Sequence, residues 1–529
     1  MKGIILAGGP ADKGLQNIFG EIPAALVPLN GKPSIQYVME CMIKHGIDHF
    51  VITLDFDAKR VQKTVEALKL PLTKIEFIKI PSEFRPGYAL SKAINCIDEE
   101  AALICLSDSI IEITDPCFDE AFIAVSKIKY QSKKWCGVKI DADNNVSSFE
   151  DKNGVETEYV ACGMYYLPKT SEYSVNEIKD IEISEVLIQQ LNGTNLIKKL
   201  AVRWWDLGHL DGYFNAKSEA LSSRHFNTLK VDNFLGTIKK TSEYFEKFRH
   251  EILWQVNLPK DLKPLVPRVL DFCADDSKDL FIVSEYYGYP TLSDLWLFPA
   301  SNNTQFKKML DKCIEVSSHI MTFSEIVKKS DYFEVYHKKT LDRITSAKSN
   351  STVLENLFSL ESLTINGRSL KGWPILKSDI LSRLDDLYNQ EHNCHIHGDF
   401  CFSNILYDQH TDILRMIDPR GKWGNSIGGD IKYDLAKLRH SISGLYDFIV
   451  TDMFYVELNK DSIILKKFSQ EIHVEIAKYF DESISKKFDL DQIKLIEGLL
   501  FLSMISLHSD VPDRQIAMFS TGIELLNEI

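Results

Sequence analysis

The sequence predicts two domains in series, an α/β domain followed by an α+β domain, and three observations lead there. Up to about Leu221, short apolar runs alternate with amphipathic helical stretches, the pattern of βαβ units and a mostly parallel sheet. After residue 222, two hairpin-like stretches come before a long helical region, so a small β-rich lobe (222–290) precedes a larger helical one (291–529). At 529 residues the chain also exceeds what one ordinary core holds.

In the first domain, GIILAGG, HFVITL, KIEFIKI and AALICLSD read as strands buried on both faces. SIQYVMECMIKHG and AKRVQKTVEALK repeat their apolar residues near every 3.6 positions and read as helices. In the second, RHFNTLKVDNFLGTIKKTSEY alternates as a hairpin, YFEKFRHEILWQVNLP is helical, and RVLDFCADDSKDLFIVSEYY is another hairpin turning at DDSKD. From Thr291 onward most segments are helical, interrupted by the strand-like NILYDQHTDILRMID, and KSNSTVLEN reads as a loop.

Composition narrows the function. A net charge of −14 and a pI near 5.5 argue against non-specific nucleic-acid binding, which needs a basic footprint. No stretch reaches the roughly 18 apolar residues of a spanning helix, so no membrane insertion is expected. Ten cysteines occur without any C-x-x-C pair, which fits a reducing cytoplasm better than a zinc or dithiol site. The expected partners are small-molecule substrates, with a homo-oligomer left open.

Two acidic residues organise the first domain. Gly8 and Gly9 follow the first strand, where backbone N–H groups can approach phosphates without an intervening Cβ. Asp108 ends the buried run ICLSDS, and Asp206 ends an apolar stretch in WWDLGHLDGYF. Two carboxylates converging on a triphosphate suit Mg²⁺-assisted nucleotidyl transfer. Over residues 1–220 the chain resembles the sugar-phosphate nucleotidyltransferase family, through LAGG, PLNGKPSIQYVME, RPGYALSKAI, SDS, FEDK, CGMYYL and WWDLGHLDGYFNAK. The resemblance implies an α/β Rossmann-like nucleotidyltransferase domain. In it Leu6, Ala7, Gly8, Gly9, Gly87 and Lys152 would serve the nucleotide, Glu150 and Gly163 the sugar or acceptor, and Asp108 and Asp206 the metal. The family's phosphate-binding Arg and Lys correspond here to Lys13, the implied catalytic cation, and Ala24, which supplies no charge.

HIHGDFCFSNILYD and IDPRG organise the second domain. Asp399 and Asn404 lie five apart on a loop before a strand, and Asp418 follows the Asn by fourteen. That spacing lets one carboxylate face a substrate hydroxyl while an amide oxygen and a second carboxylate reach a metal on ATP phosphates. Over residues 222–529 the chain resembles the aminoglycoside phosphotransferase and choline kinase group, a protein-kinase-like α+β phosphotransferase fold. Asp399 would then be the catalytic base, Asn404 and Asp418 the Mg²⁺ ligands, and Lys240 and Glu251 the ATP-phosphate lysine and its partner. Lys239 is the alternative to Lys240. The segment Glu285 to Tyr287 would meet adenine, and His397, Asp430 and Asp434 would support the loop. Arg420 fits two roles equally, binding an anionic substrate or bracing the catalytic loop.

Together these imply a bifunctional enzyme. A kinase using ATP would phosphorylate a small hydroxylated metabolite, a sugar or amino alcohol. A nucleotidyltransferase would then place an NMP, from CTP or UTP, on that phosphate. The product would be a nucleotide-activated precursor for surface polysaccharide or headgroup synthesis. The alternative is an active kinase with a catalytically impaired nucleotide-binding domain, motivated by Ala24.

Overall fold

The apolar run KGIILA forms β1 (Lys2–Ala7), buried from Gly3 onward because it pairs in parallel with a strand on each side. In the computed structural model the described residues are 1–97, 100–113, 118–127, 134–151, 157–171, 180–191, 193–221, 227–275 and 279–529. They form two units, Met1–Ser218 and Glu219–Ile529.

The first unit continues with β2 (Pro28–Leu29) and β3 (Lys32–Pro33), then β4 (His49–Leu54), β5 (Lys74–Lys79), β6 (Ala102–Leu106) and β7 (Ser109–Ile113). After these come β8 (Phe122–Lys127), β9 (Cys136–Ile140), β10 (Val146–Asp151), β11 (Tyr159–Leu167) and β12 (Ile197–Asp206). Its helices are α1 (Lys13–Phe19), α2 (Ser34–Ile43), α3 (Ala58–Ala67), α4 (Pro86–Ile94), α5 (Ile183–Leu191) and α6 (Leu210–Leu221). The main sheet runs β5-β4-β1-β6-β11-β8-β12-β7, with the β9–β10 hairpin attached to β11.

Two expectations are corrected here. The sheet is mixed rather than mostly parallel: β5, β4, β1 and β6 are parallel, but β11 is antiparallel to both β6 and β8, and β7 to β12. Buried strands read the same in either direction, so apolar runs alone do not specify polarity. KIEFIKI is also not buried on both faces. As β5 it is the edge strand, half-buried with exposed lysines at both ends.

The directions of these strands place the chemistry. β8 and β12 run parallel to one another, and β11 is antiparallel to both β6 and β8, so β1, β6 and β12 share one direction. Their carboxyl ends, carrying Gly8, Asp108 and Asp206, therefore emerge along one edge of the sheet. Near that edge β11 is interrupted at Gly163, where φ is +94° and the register shifts between Ala161 and Tyr165. A Cβ at Gly163 would come within 2.8 Å of Leu106, which leads into Asp108.

In the second unit β13 (Asn227–Asp232), β14 (Thr237–Ser242), β15 (Val269–Cys273) and β16 (Phe281–Glu285) form a sheet of order β13-β14-β16-β15. Helix α7 (Phe245–Val256) packs Phe248 and Ile252 against Leu280 and Ile282. The remaining chain is mainly helical around the helix Ile431–Ile442, every residue of which is buried. A four-stranded sheet built from Ser362–Ile365, Arg368–Lys371, Phe454–Asn459 and Ser462–Lys467 lies within this helical part and was not expected. Nor is KSNSTVLEN a loop. It joins the helices Lys339–Asn350 and Thr352–Ser359, and only Ser351 leaves helical geometry, its hydroxyl capping Leu354 N–H.

Replacing Gly163 by Ala combines a left-handed backbone with overlap on Leu106, and is expected to cost roughly 1–3 kcal/mol. A denaturant titration of the full chain followed by circular dichroism checks this.

Candidate active sites

In the first unit, the loop after β1 is tied down on both sides. Gly8 carbonyl accepts Phe56 N–H at 2.9 Å, and Gly9 carbonyl accepts Ala24 N–H at 3.1 Å. Asp12 caps α1, taking Leu15 N–H at 2.7 Å, and its other oxygen takes Leu210 N–H at 3.1 Å. One carboxylate thus joins the glycine loop to the turn following Asp206. Leu6 and Ala7 are buried strand residues that position this loop, Leu6 carbonyl accepting Ser107 N–H at 3.2 Å. Gly9 faces open space, whereas Gly8 lies against Asp55. Lys13 is the exposed first residue of α1. Ala24 is buried, and its backbone is held by Gly9 on one side and by the Ser34 hydroxyl on the other.

Asp108 and Asp206 come together around Gly208. A Cβ there would overlap Asp108 Oδ2 and lie 3.3 Å from Asp206 Oδ1, so only glycine lets both carboxylates approach this turn. Asp206 Oδ1 accepts Gly208 N–H at 3.0 Å. Its Oδ2 accepts the Trp135 indole at 2.8 Å and His209 Nδ1 at 2.7 Å, and this bond to Asp206 raises the His209 pKa above the usual imidazole value. Among the described residues no group of three or more His, Cys, Asp or Glu forms a metal cage. Two carboxylates with no nitrogen or sulfur ligand nevertheless suit Mg²⁺, which takes one or two carboxylates and completes its shell with water and phosphate.

The other expected residues of this unit are dispersed. Glu150 pairs with Lys139 across the β9–β10 hairpin at 2.5 Å. Gly87, at the start of α4, lies beneath the carbonyls of Ile181 and Glu182, a close approach that leaves no room for a Cβ. Gly163 shapes β11 beside Leu106, and Lys152 lies outside the described residues.

In the second unit, strand alternation turns Lys240 inward and leaves Lys239 exposed over the Phe281 ring. Lys240 Nζ donates to Glu251 Oε1 on α7 at 2.6 Å and to Asp418 Oδ1 at 2.9 Å. Burial works against the Lys240 charge, but Asp418 and Glu251 outweigh it and hold its pKa above the ordinary lysine value. Asp418 itself has φ of 55°, a left-handed conformation uncommon for a residue with a side chain.

The loop carrying Asp399 is built from below. Asp434, on the buried helix, accepts His397 N–H and Gly398 N–H, each at 2.8 Å. His397 Nε2 donates to Ile417 carbonyl at 3.0 Å and its Nδ1 accepts Asp399 N–H at 3.3 Å, while burial pushes its pKa down to about 4. His397 is therefore a neutral spacer between the loop and the Asp418 segment. Burial would favour a protonated Asp399, but the Lys437 ammonium 2.9 Å from Oδ1 overrides it and holds the carboxyl well below the usual range. Asn404 Nδ2 donates to Asp399 carbonyl at 2.9 Å and to Asp399 Oδ2 at 3.1 Å. With its amide hydrogens so committed, Asn404 Oδ1 is the atom it can offer a cation, and Asp418 supplies a second oxygen, again a donor set suited to Mg²⁺.

Glu285 and Tyr287 stand apart from this cluster. Glu285 N–H is bound by Arg268 carbonyl and Tyr286 N–H by Gly236 carbonyl, so neither amide is directed at a ligand. Their side chains border a cavity of about 530 Å³, lined also by Val256, Arg268 and Arg415, and Lys240, Asp399 and Asp418 are not among its walls. Arg420 Nη1 donates to Tyr433 hydroxyl at 2.9 Å, and Arg420 N–H to His397 carbonyl at 3.0 Å.

Four residues that matter here were not singled out from the sequence: Asp12, Trp135, Lys437, and His209, which lies within WWDLGHLDGYF. Lys437 alone left a usable signal, because it lies one helical turn beyond Asp434 on the same helix. Asp434→Asn puts an amide NH₂ where a carboxylate accepts two buried N–H groups, and is expected to cost about 1–3 kcal/mol. The midpoint of urea unfolding, compared with the parent chain, measures it.

Comparison with known proteins follows the same division. The family model for nucleotidyl transferases matches residues 2–223. The chain is 25% identical over 182 residues to the D-glycero-alpha-D-manno-heptose 1-phosphate guanylyltransferase of Campylobacter jejuni, a match covering 32% of this chain and 76% of that protein. Among solved structures, HddC from Yersinia pseudotuberculosis complexed with GMP-PN is 21% identical and covers 41% of this chain and 99% of its own, with a TM-score of 0.35. The inositol-1-phosphate CTP transferase from T. maritima is 18% identical and covers 42% and 97%, with a TM-score of 0.34. Ordered along one sheet edge by the glycine loop and its two aspartates, residues 2–223 form a nucleotidyl transferase domain.

Proposed function

We propose that the chain is a bifunctional enzyme in which the second unit phosphorylates a small hydroxylated metabolite and the first unit activates the product. The observation that carries the kinase half is the buried Lys240, shared by Glu251 and Asp418. Nothing in packing calls for a lysine between two carboxylates inside a lobe, whereas a triphosphate and its cation call for all three.

The acceptor hydroxyl oxygen bonds to the γ-phosphorus of ATP while the bond from that phosphorus to the β–γ bridging oxygen breaks, its electron pair leaving with ADP. The hydroxyl proton passes to Asp399, kept ionised by Lys437. Lys240 neutralises phosphate charge, and Glu251 keeps the lysine aligned. Mg²⁺, held by Asn404 and Asp418, would screen the phosphate oxygens from one another.

In the first unit, a phosphate oxygen of the phosphorylated product bonds to the α-phosphorus of an NTP, and pyrophosphate departs with the α–β bridging oxygen. The attacking oxygen is already anionic, so positioning and charge neutralisation suffice. The glycine loop supplies backbone donors and Lys13 a cation, with Asp108 and Asp206 the ligands of a second Mg²⁺. The substrate class is a sugar 1-phosphate, in keeping with the heptose 1-phosphate relative, and because that relative is a guanylyltransferase GTP joins CTP and UTP as a donor to test. Supply of precursors for surface polysaccharide or lipid headgroups is the setting this chemistry fits.

The impaired-domain alternative keeps one specific motivation, the buried methyl of Ala24 beside Gly9. Both readings are tested by incubating the purified chain with Mg²⁺, ATP, each NTP and a panel of sugars and amino alcohols, following ADP and pyrophosphate separately. Asp399→Asn is expected to lower ADP release about 10²–10⁴-fold without reducing pyrophosphate release from supplied sugar phosphates. Asp206→Asn is expected to do the converse, by about 10²-fold or more. Ala24→Lys is expected to raise pyrophosphate release about tenfold or more; a parent chain with none, rescued by that change, establishes the impaired domain instead. Neither product under any condition sinks the proposal.

A further inference from the structure

The acceptor side of Asp399 is crowded with cations, which is unexpected in a chain of net charge −14. Lys437 lies against Asp399, as described. One turn before it on the same helix, Tyr433 takes the Arg420 guanidinium on its hydroxyl, and that guanidinium lies over its ring, 5.9 Å from the centroid. The Arg420 side chain starts beside the loop, since a Cβ on Gly398 would fall 2.8 Å from its own Cβ. A third element, the helix Lys339–Asn350, contributes Lys339 and, one turn on, Arg343. Arg343 reaches Ser503 carbonyl at 3.3 Å and also feels the Tyr433 hydroxyl and Arg420. Lys339 follows directly on a π-helical stretch, Phe333–Lys338, a rare distortion that is frequent at functional sites.

These cations are not neutralised from within. Among the described residues none of Lys339, Arg343 and Arg420 makes an ion pair, and Asp399, the carboxylate that acts on Lys339, is already engaged by Lys437. Burial, then Arg420, Arg343 and Lys437, push the Lys339 pKa well below its ordinary value. Like charges gathered in a half-buried place cost stability unless something offsets them.

We propose that the acceptor of the kinase reaction carries its own anionic group, a carboxylate or a phosphate, which Lys339, Arg343 and Arg420 hold while its hydroxyl faces Asp399. This rests on the kinase reading of the site and adds the acceptor's charge class to it. It departs from an amino alcohol, whose ammonium would be repelled by the same four cations. It also gives Arg420 both of the roles open to it: its backbone braces the loop through His397, and its guanidinium, seated on Tyr433 through Nη1, offers its remaining donors to the substrate. The ATP phosphates are served separately by Lys240.

The test uses the full chain with Mg²⁺ and ATP and acceptors in matched sets: glucose, glucuronate, glucose 6-phosphate and glucosamine, and glycerol, glycerate, glycerol 3-phosphate and ethanolamine. An anionic member is expected to exceed its neutral counterpart in kcat/KM by about tenfold or more, the carboxylate and phosphate arms showing which anion is preferred. Lys339→Met and Arg343→Gln are expected to raise KM for that anion about tenfold, well beyond any change in KM for ATP, and Lys339→Arg to recover most of the loss. Superimposable circular dichroism spectra establish that the variants fold. Preference for the neutral or ammonium members, or variants that lower kcat equally for every acceptor, would overturn the proposal. No ADP with any acceptor sinks the kinase reading itself. The anion site is then decided by calorimetric titration of glucuronate and glucose 6-phosphate: weaker binding to Lys339→Met than to the parent upholds it, and equal or absent binding rejects it.

Discussion

The Asp434 carboxylate, accepting the amides of His397 and Gly398, is the contact from which the second site is assembled. It fixes the backbone immediately before Asp399, and the same helix presents Lys437 one turn later to hold the Asp399 carboxylate. From there the loop propagates order outward. His397 spans to Ile417, Asn404 is drawn onto Asp399, and Asn404 carbonyl takes Ile417 N–H, which sets Asp418 beside Lys240. Asp399, its partner Lys437, Asn404 and Asp418 are thereby placed by one buried acid.

The first unit solves the equivalent problem with the sheet. Three strands running the same way deliver Gly8, Asp108 and Asp206 to one edge, and Asp12 ties the glycine loop to the turn after Asp206. Glycine is required at Gly208 because the two carboxylates occupy the space a Cβ would need. Asp206 meets three internal donors, from Trp135, Gly208 and His209, and these orient it before any ligand arrives.

Much of this was legible in the amino-acid sequence, for identifiable reasons. Spacing within a short loop survives in one dimension, so Asp399, Asn404 and Asp418 could be read together, and the polar turn next to Lys240 favoured it over Lys239, with strand alternation left to decide between them. What could not be read depends on partners remote in sequence. Trp135 meets Asp206 from 71 positions away, and Asp12 meets Leu210 from 198. Strand polarity was lost because a doubly buried strand looks alike in both directions, which is why the antiparallel half of the sheet was missed. The sheet joining Ser362–Ile365 to Ser462–Lys467 pairs segments about a hundred residues apart, and KSNSTVLEN misled because one capping serine between two helices has the composition of a turn.

The helix Ile431–Ile442 has no exposed residue along its length. A helix of that kind has no solvent-facing side from which to fray, and its amides exchange with water only when the surrounding lobe opens as a whole. The brace Asp434, the Lys437 partner of Asp399 and the Tyr433 ring that seats Arg420 all ride on it, so they appear and vanish together with the lobe's cooperative folding. The geometry around Asp399 is therefore tied to the folding of the lobe: it is not loosened piecemeal by local fraying, and it is lost when the lobe opens.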